Sequence, residues 1–143
     1  MKKSILLILA GAAFLFTGIP LFAQQDVKVI VHKDVAITEI DQNAFQRIYL
    51  GKNKFWEDGS PIVAVLLRGG PAHEAFLKEL VKRTASKFRS FWNRAVFTGK
   101  SVPLKSFEEE AALVRYVAET SGAIGYVSSE TATDNVKVIR VQQ

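Results

Sequence analysis

The sequence predicts one α/β domain in which helices flank a mostly parallel sheet. Strand-like runs alternate along the chain with segments of helical periodicity. The first two strand-like runs, 27–32 and 61–67, are rich in β-branched and aliphatic residues and lack polar alternation, as in strands covered on both faces. No repeat, linker or low-complexity tract divides the chain. The predicted order is strand, helix, strand, three helices, strand, strand.

The elements follow in turn. Val27, Val29, Ile30 and Val31 belong to a buried strand ending near His32. Asp41 suits the cap of a helix whose Ala44, Phe45, Ile48 and Tyr49 recur at helical spacing, and Gly51 stops it. Residues 52–60, with Trp56, Asp58 and Gly59, form a loop before the second strand. Arg68, Gly69 and Gly70 then turn the chain, and Pro71 opens a helix carrying Phe76, Leu77, Leu80 and Val81. Ser86 starts the next helix, which puts Phe88, Phe91, Trp92, Ala95 and Val96 on one core-facing side and ends before Gly99. Ser106 and Glu109 form a capping box for a helix with Ala112, Leu113, Tyr116 and Val117, stopped at Gly122. Runs 124–127 and 136–141 are the last two strands.

The amino-terminal 23 residues contain 16 apolar side chains, two lysines and no acid. Lys2 and Lys3, the apolar run 5–16, the break at Gly18 and Pro20, and Ala23 have the layout of a secretory signal peptide cut after Ala23. The expectation is a periplasmic domain, 24–143, that is not inserted in the membrane after cleavage. The chain has no cysteine, so neither a disulfide nor a lipid anchor on a processed cysteine is available.

Few residues suit catalysis. His32 and His73 are the only histidines, and without cysteine they do not complete a usual zinc site. Ser128, Ser129 and Thr131 lack a nucleophile-elbow context. The expectation is therefore no enzyme, no cofactor and no metal. Charge is uneven: residues 78–105 hold eight basic side chains and one acidic. Such a stretch suits an anion or an acidic protein partner. Nucleic acid is not expected, because Phe88, Phe91 and Trp92 fall at core spacing and export removes the usual target. The turn at Arg68, Gly69 and Gly70 leads from a strand into a helix start, where free amides and the helix dipole favour an oxyanion.

Several strings together resemble one family. Residues 48–52 (Ile-Tyr-Leu-Gly-Lys), 56–59 (Trp-Glu-Asp-Gly) and 122–127 (Gly-Ala-Ile-Gly-Tyr-Val) look like the phosphate-type substrate-binding proteins of ABC transporters. Residues 91–94 and 97–100 look like that group's short members. The resemblance implies a single lobe of a type 2 periplasmic-binding-protein-like fold, where full-length relatives close two hinged lobes on the ligand. It also implies a solute-binding protein that takes a small oxyanion such as phosphate and works with an ABC transporter permease. Arg68 matches the family's arginine, while Gly70, Pro71 and Ala72 stand where a Ser-Gly-Thr turn grips phosphate, so both hydroxyls are gone. The candidate ligand residues are Arg68, Gly69, Gly70 and His73, with Ser121 and Gly122 lining the same edge. The alternative is a non-catalytic interaction or sensor-accessory module that has kept the lobe but lost the ligand, docking on an acidic protein or pairing as a homodimer.

Overall fold

Six strands pair into one mixed sheet in the computed structural model, which describes residues 26–143. The predicted leader, 1–23, lies outside the described residues. The strands are β1 (Val27–Val31), β2 (Glu39–Asp41), β3 (Val63–Leu67), β4 (Lys105–Phe107), β5 (Ala123–Ser128) and β6 (Lys137–Gln142), in the spatial order β2-β6-β1-β5-β3-β4. Five strands share one direction, and β1 alone runs antiparallel to its neighbours β5 and β6. The predicted α/β class and mostly parallel sheet are present, with one reversed strand near the middle. The short strands β2 and β4 escape sequence reading because three residues carry no period.

The helices are α1 (Gln42–Tyr49), α2 (Pro71–Ala75), α3 (Ala85–Phe97) and α4 (Glu110–Glu119), and α2 runs on into a π-helical stretch, Phe76–Val81. Asp41 caps α1 as expected, its carboxylate accepting from the amides of Asn43 and Ala44. The π-helical spacing keeps Phe76, Leu77 and Val81 all buried. Its last carbonyls, of Glu79 and Leu80, accept from the side-chain amides of Gln42 and Gln46 on α1.

Two caps differ from expectation. Helix α3 is capped by Thr84, whose hydroxyl accepts from the Lys87 amide, so it begins at Ala85. The capping box does not form, because Ser106 is engaged in β4 opposite Leu66 and Glu109 makes no side-chain cap. The adjacent Glu110 ties α4 to the end of β5, accepting from the Ser128 amide at 2.7 Å, the Ser128 hydroxyl at 3.0 Å and the Thr131 hydroxyl at 2.5 Å. Burial pushes its carboxyl up, but these donors outweigh burial and hold it below its ordinary value.

Strand β5 is the buried axis, with all six residues buried. On one face Gly125 lets α4 sit directly on the sheet: a Cβ there would stand 2.7 Å from Leu113 Cδ2 and 3.1 Å from Val65 Cγ2. On the other, Tyr126 stacks flat on Phe76 at 3.7 Å, and Tyr49 packs edge-on to both rings. The Tyr49 hydroxyl reaches the carbonyls of Val65 and Ile124, so the aromatic cluster carries no unpaired phenol.

Gly125→Ala forces a methyl into this contact and is expected to cost about 1–3 kcal/mol, the usual range for overpacking a tight core. Urea denaturation measures it, and an unchanged midpoint would contradict the close approach of α4.

Candidate functional site

The candidate turn leaves the carboxyl end of β3 and is pinned at both ends by one hydroxyl. The Leu67 amide donates to Tyr126 Oη at 3.0 Å. The same phenol stands 2.5 Å from His73 Nδ1, in a hydrogen bond whose direction follows the histidine tautomer. Donation from the phenol leaves no buried hydroxyl proton without an acceptor, and that arrangement puts the His73 ring proton on Nε2. Burial lowers the pKa of His73 from its ordinary 6.5, with the nearby Glu74 charge acting in the opposite sense, and burial raises that of Tyr126, so both are neutral near pH 7.

Between these anchors the backbone is open. Gly70 has φ 91°, which favours glycine, and a Cβ at Gly69 or Gly70 would meet nothing within 4 Å. Pro71 takes the first helical position, and the Glu74 amide returns to the Gly70 carbonyl. The amides of Gly69, Gly70, Ala72 and His73 find no acceptor among the described residues, as expected where a helix begins. Arg68 is 62% exposed and donates to Glu108 Oε1 at 2.8 Å. The turn thus offers free amides, a guanidinium in a water-facing ion pair and a neutral histidine.

The structure does not bring Ser121 and Gly122 to this edge. Strands β3 and β5 are parallel and Val63 pairs with Ala123, so Ser121 and Gly122 lie beside the start of β3 while Arg68 follows its end. The five residues of β3 separate the two by roughly 16 Å at the usual rise of a strand. Ser121 donates instead to Asp34, which also accepts from the Gly122 amide at 3.3 Å and lies 2.6 Å from His32 Nδ1. The Ser121 hydroxyl foremost holds the Asp34 carboxyl below its ordinary value. Gly122 is a structural glycine: its φ is 74°, a Cβ would run into the Pro61 carbonyl, and its own carbonyl accepts from Trp56 Nε1.

Beside the turn opens a groove of about 920 Å³, walled on one side by α3. Helix α3 departs from its predicted burial. Phe88 enters the core, whereas Phe91, Trp92 and Ala95 are half-buried and Val96 is exposed. Trp92 is held by its indole N–H on the Tyr49 carbonyl. Residues that sequence reasoning did not place at this edge are Tyr126, Arg89 and Phe97. The apolar run 123–127 signals a buried strand around Tyr126, but only packing reveals its partners.

Among the described residues no cluster of three or more acids or histidines suits a metal ion. Ser121, Ser128 and Thr131 donate to carboxylates, and none donates to a histidine. No helix among the described residues is long and apolar enough to cross a membrane.

Neither a family model nor a curated protein matches this sequence. Solved structures do share the fold. One from Clostridium perfringens, assigned as a phosphate ABC transporter substrate-binding protein and holding phosphate, superposes with a TM-score of 0.64 at 22% identity, over 80% of this chain and 44% of its own. An ABC-type phosphate transport receptor from Vibrio cholerae gives 0.63 at 14% identity, over 80% of this chain and 45% of its own. PstS from Borrelia burgdorferi gives 0.63 at 13% identity, over 82% and 47%. This chain therefore spans less than half the length of each.

Because burial lowers the His73 pKa, the unfolded chain takes up the proton first. The stability this histidine contributes is whole above pH 6.5 and is lost as pH falls through the folded-state value. Denaturation profiles are expected to show this loss setting in as pH falls below 6.5, and His73→Gln to remove it. A profile that the substitution leaves unchanged would contradict the buried neutral imidazole.

Proposed function

We propose that the chain is an exported, non-catalytic, one-lobe binding protein that takes a small oxyanion such as phosphate at the turn 68–73. The observation that carries this reading is the pinned turn itself: open amides at Gly69, Gly70, Ala72 and His73 beside the Arg68 guanidinium. Amides converging at the start of a helix suit an anion, and an arginine adds a two-pronged contact. The fold likeness to phosphate-binding proteins supports the reading, as do the leader-like residues 1–23, which suit delivery to the periplasm. An ABC transporter permease is the partner this reading implies.

The chemistry is positioning without catalysis. The oxyanion lies outside the carboxyl end of β3, where ligands of open α/β sheets bind. Tyr126 holds the turn from behind, and His73 offers Nε2–H. Arg68 must share its charge between the ligand and Glu108. Water reaches the site freely, so each contact is weaker than in a closed cleft.

A second reading, an interaction module that binds an acidic protein, is favoured by the exposure of Lys87, Arg89 and Arg94 along α3. Reversing Lys87 and Arg94, which do not line the groove beside the turn, is expected to leave phosphate binding in place on the first reading, and to abolish salt-sensitive capture of a partner on the second.

Calorimetry on the purified protein at low salt is expected to show saturable phosphate binding below about 100 μM, equivalent to about −5.5 kcal/mol. Arg68→Ala should weaken it at least tenfold, whereas Glu108→Gln, which releases the guanidinium, should tighten it. Absence of heat, or an unchanged affinity in Arg68→Ala, would contradict this site.

A further inference from the structure

A small oxyanion leaves most of the groove unused. The five heavy atoms of inorganic phosphate, at about 30 Å³ per water-sized atom, fill roughly 150 Å³ of about 920 Å³. The rest faces apolar side chains, chiefly Phe88, Trp92, Val96 and Phe97 of α3 and Leu66 and Leu104 at the sheet edge. Phe97 is 92% exposed, and Val96 beside it is also exposed. An exposed ring continuous with an apolar groove marks a surface that a ligand or partner covers.

Charge narrows the occupant. Arg68 and Arg89 both line the groove, and Arg89 makes no ion pair among the described residues. Against them the lining holds one carboxylate, Glu74. Arg94, Lys100 and Lys105 are exposed on the same basic segment. A two-fold dimer across this face would bring two basic segments together, which like charge opposes. An apolar wall beside a cationic edge instead matches a molecule that has both characters.

Resting on the oxyanion reading above, we infer that the groove takes an amphiphilic organic anion. Its oxyanion head occupies the turn 68–73, and an apolar body of about naphthalene size lies against Trp92, Val96 and Phe97. The wall then supplies affinity that a bare phosphate does not use, because apolar area on ligand and protein leaves water together. It also gives Phe97 a purpose that packing of the domain does not.

The test compares 1-naphthyl phosphate, inorganic phosphate and neutral 1-naphthol by calorimetry on the purified protein, with light scattering for its mass. The expected result is that 1-naphthyl phosphate binds at least tenfold tighter than inorganic phosphate and that 1-naphthol binds far more weakly. Phe97→Ser should erase most of that tenfold gain and leave inorganic phosphate unchanged, since a ring so exposed supports no core. Equal affinity for the two phosphates would overturn the amphiphile inference while leaving the oxyanion site intact. Failure of both anions to bind would overturn both readings. Binding of 1-naphthol as tight as that of its phosphate would remove the anionic head, and a ligand-free dimer dispersed by Phe97→Ser would assign the face to a second copy; either overturns the inference.

Discussion

The Tyr126 hydroxyl is the constraint on which the rest of the site depends. It stands on the buried central strand, where a phenol without partners costs about 1–3 kcal/mol, and it finds two: the Leu67 amide and His73 Nδ1. Those partners belong to the last residue of β3 and the first turn of α2, so one atom fixes both ends of the turn between them. The turn is thereby organised before any ligand arrives, and organisation in advance lowers the entropy lost on binding. Phe76, stacked on the same ring, and Tyr49, edge-on to it, hold the phenol in place.

Strand direction decides which residues share the candidate edge. The string 122–127, which most resembles a known family, proves to be architecture. Gly122 accommodates the Pro61 carbonyl, Gly125 admits α4, and Tyr126 supports the turn from behind. Since β3 and β5 are parallel, this string begins at the edge opposite Arg68. Trp56 and Asp34 secure that far edge through Gly122 and Ser121, an arrangement that stabilises a turn and leaves no hydroxyl free beside a base.

Much of the fold was legible in the sequence because its signals are local. Runs rich in β-branched and aliphatic residues marked β1 and β3, Asp41 marked the start of α1, and Pro71 after two glycines marked α2. The failures share one physical cause: each depends on a neighbour distant in sequence. Ser106 has the spacing of a cap but pairs across to Leu66 instead. Helix α3 has the periodicity of a core helix, yet of its apolar stripe only Phe88 is buried, while Trp92 and Val96 border the groove and Phe91 lies under the Arg83 guanidinium. Arg68, Gly69, Gly70 and His73 were found together because chain proximity alone gathers them, whereas Ser121 and Gly122 were misplaced because strand direction is invisible in a single sequence.

An open groove beside a rigid turn suits a receptor whose contacts are water-facing and modest in strength. The most direct measurement of this account is a backbone-amide and imidazole nitrogen NMR spectrum followed through a titration with inorganic phosphate. The account predicts shifts at the amides of Gly69, Gly70, Ala72 and His73, a His73 proton that stays on Nε2, and silent Ser121 and Gly122. An unmoved turn, or shifts led by Ser121 and Gly122, would contradict it.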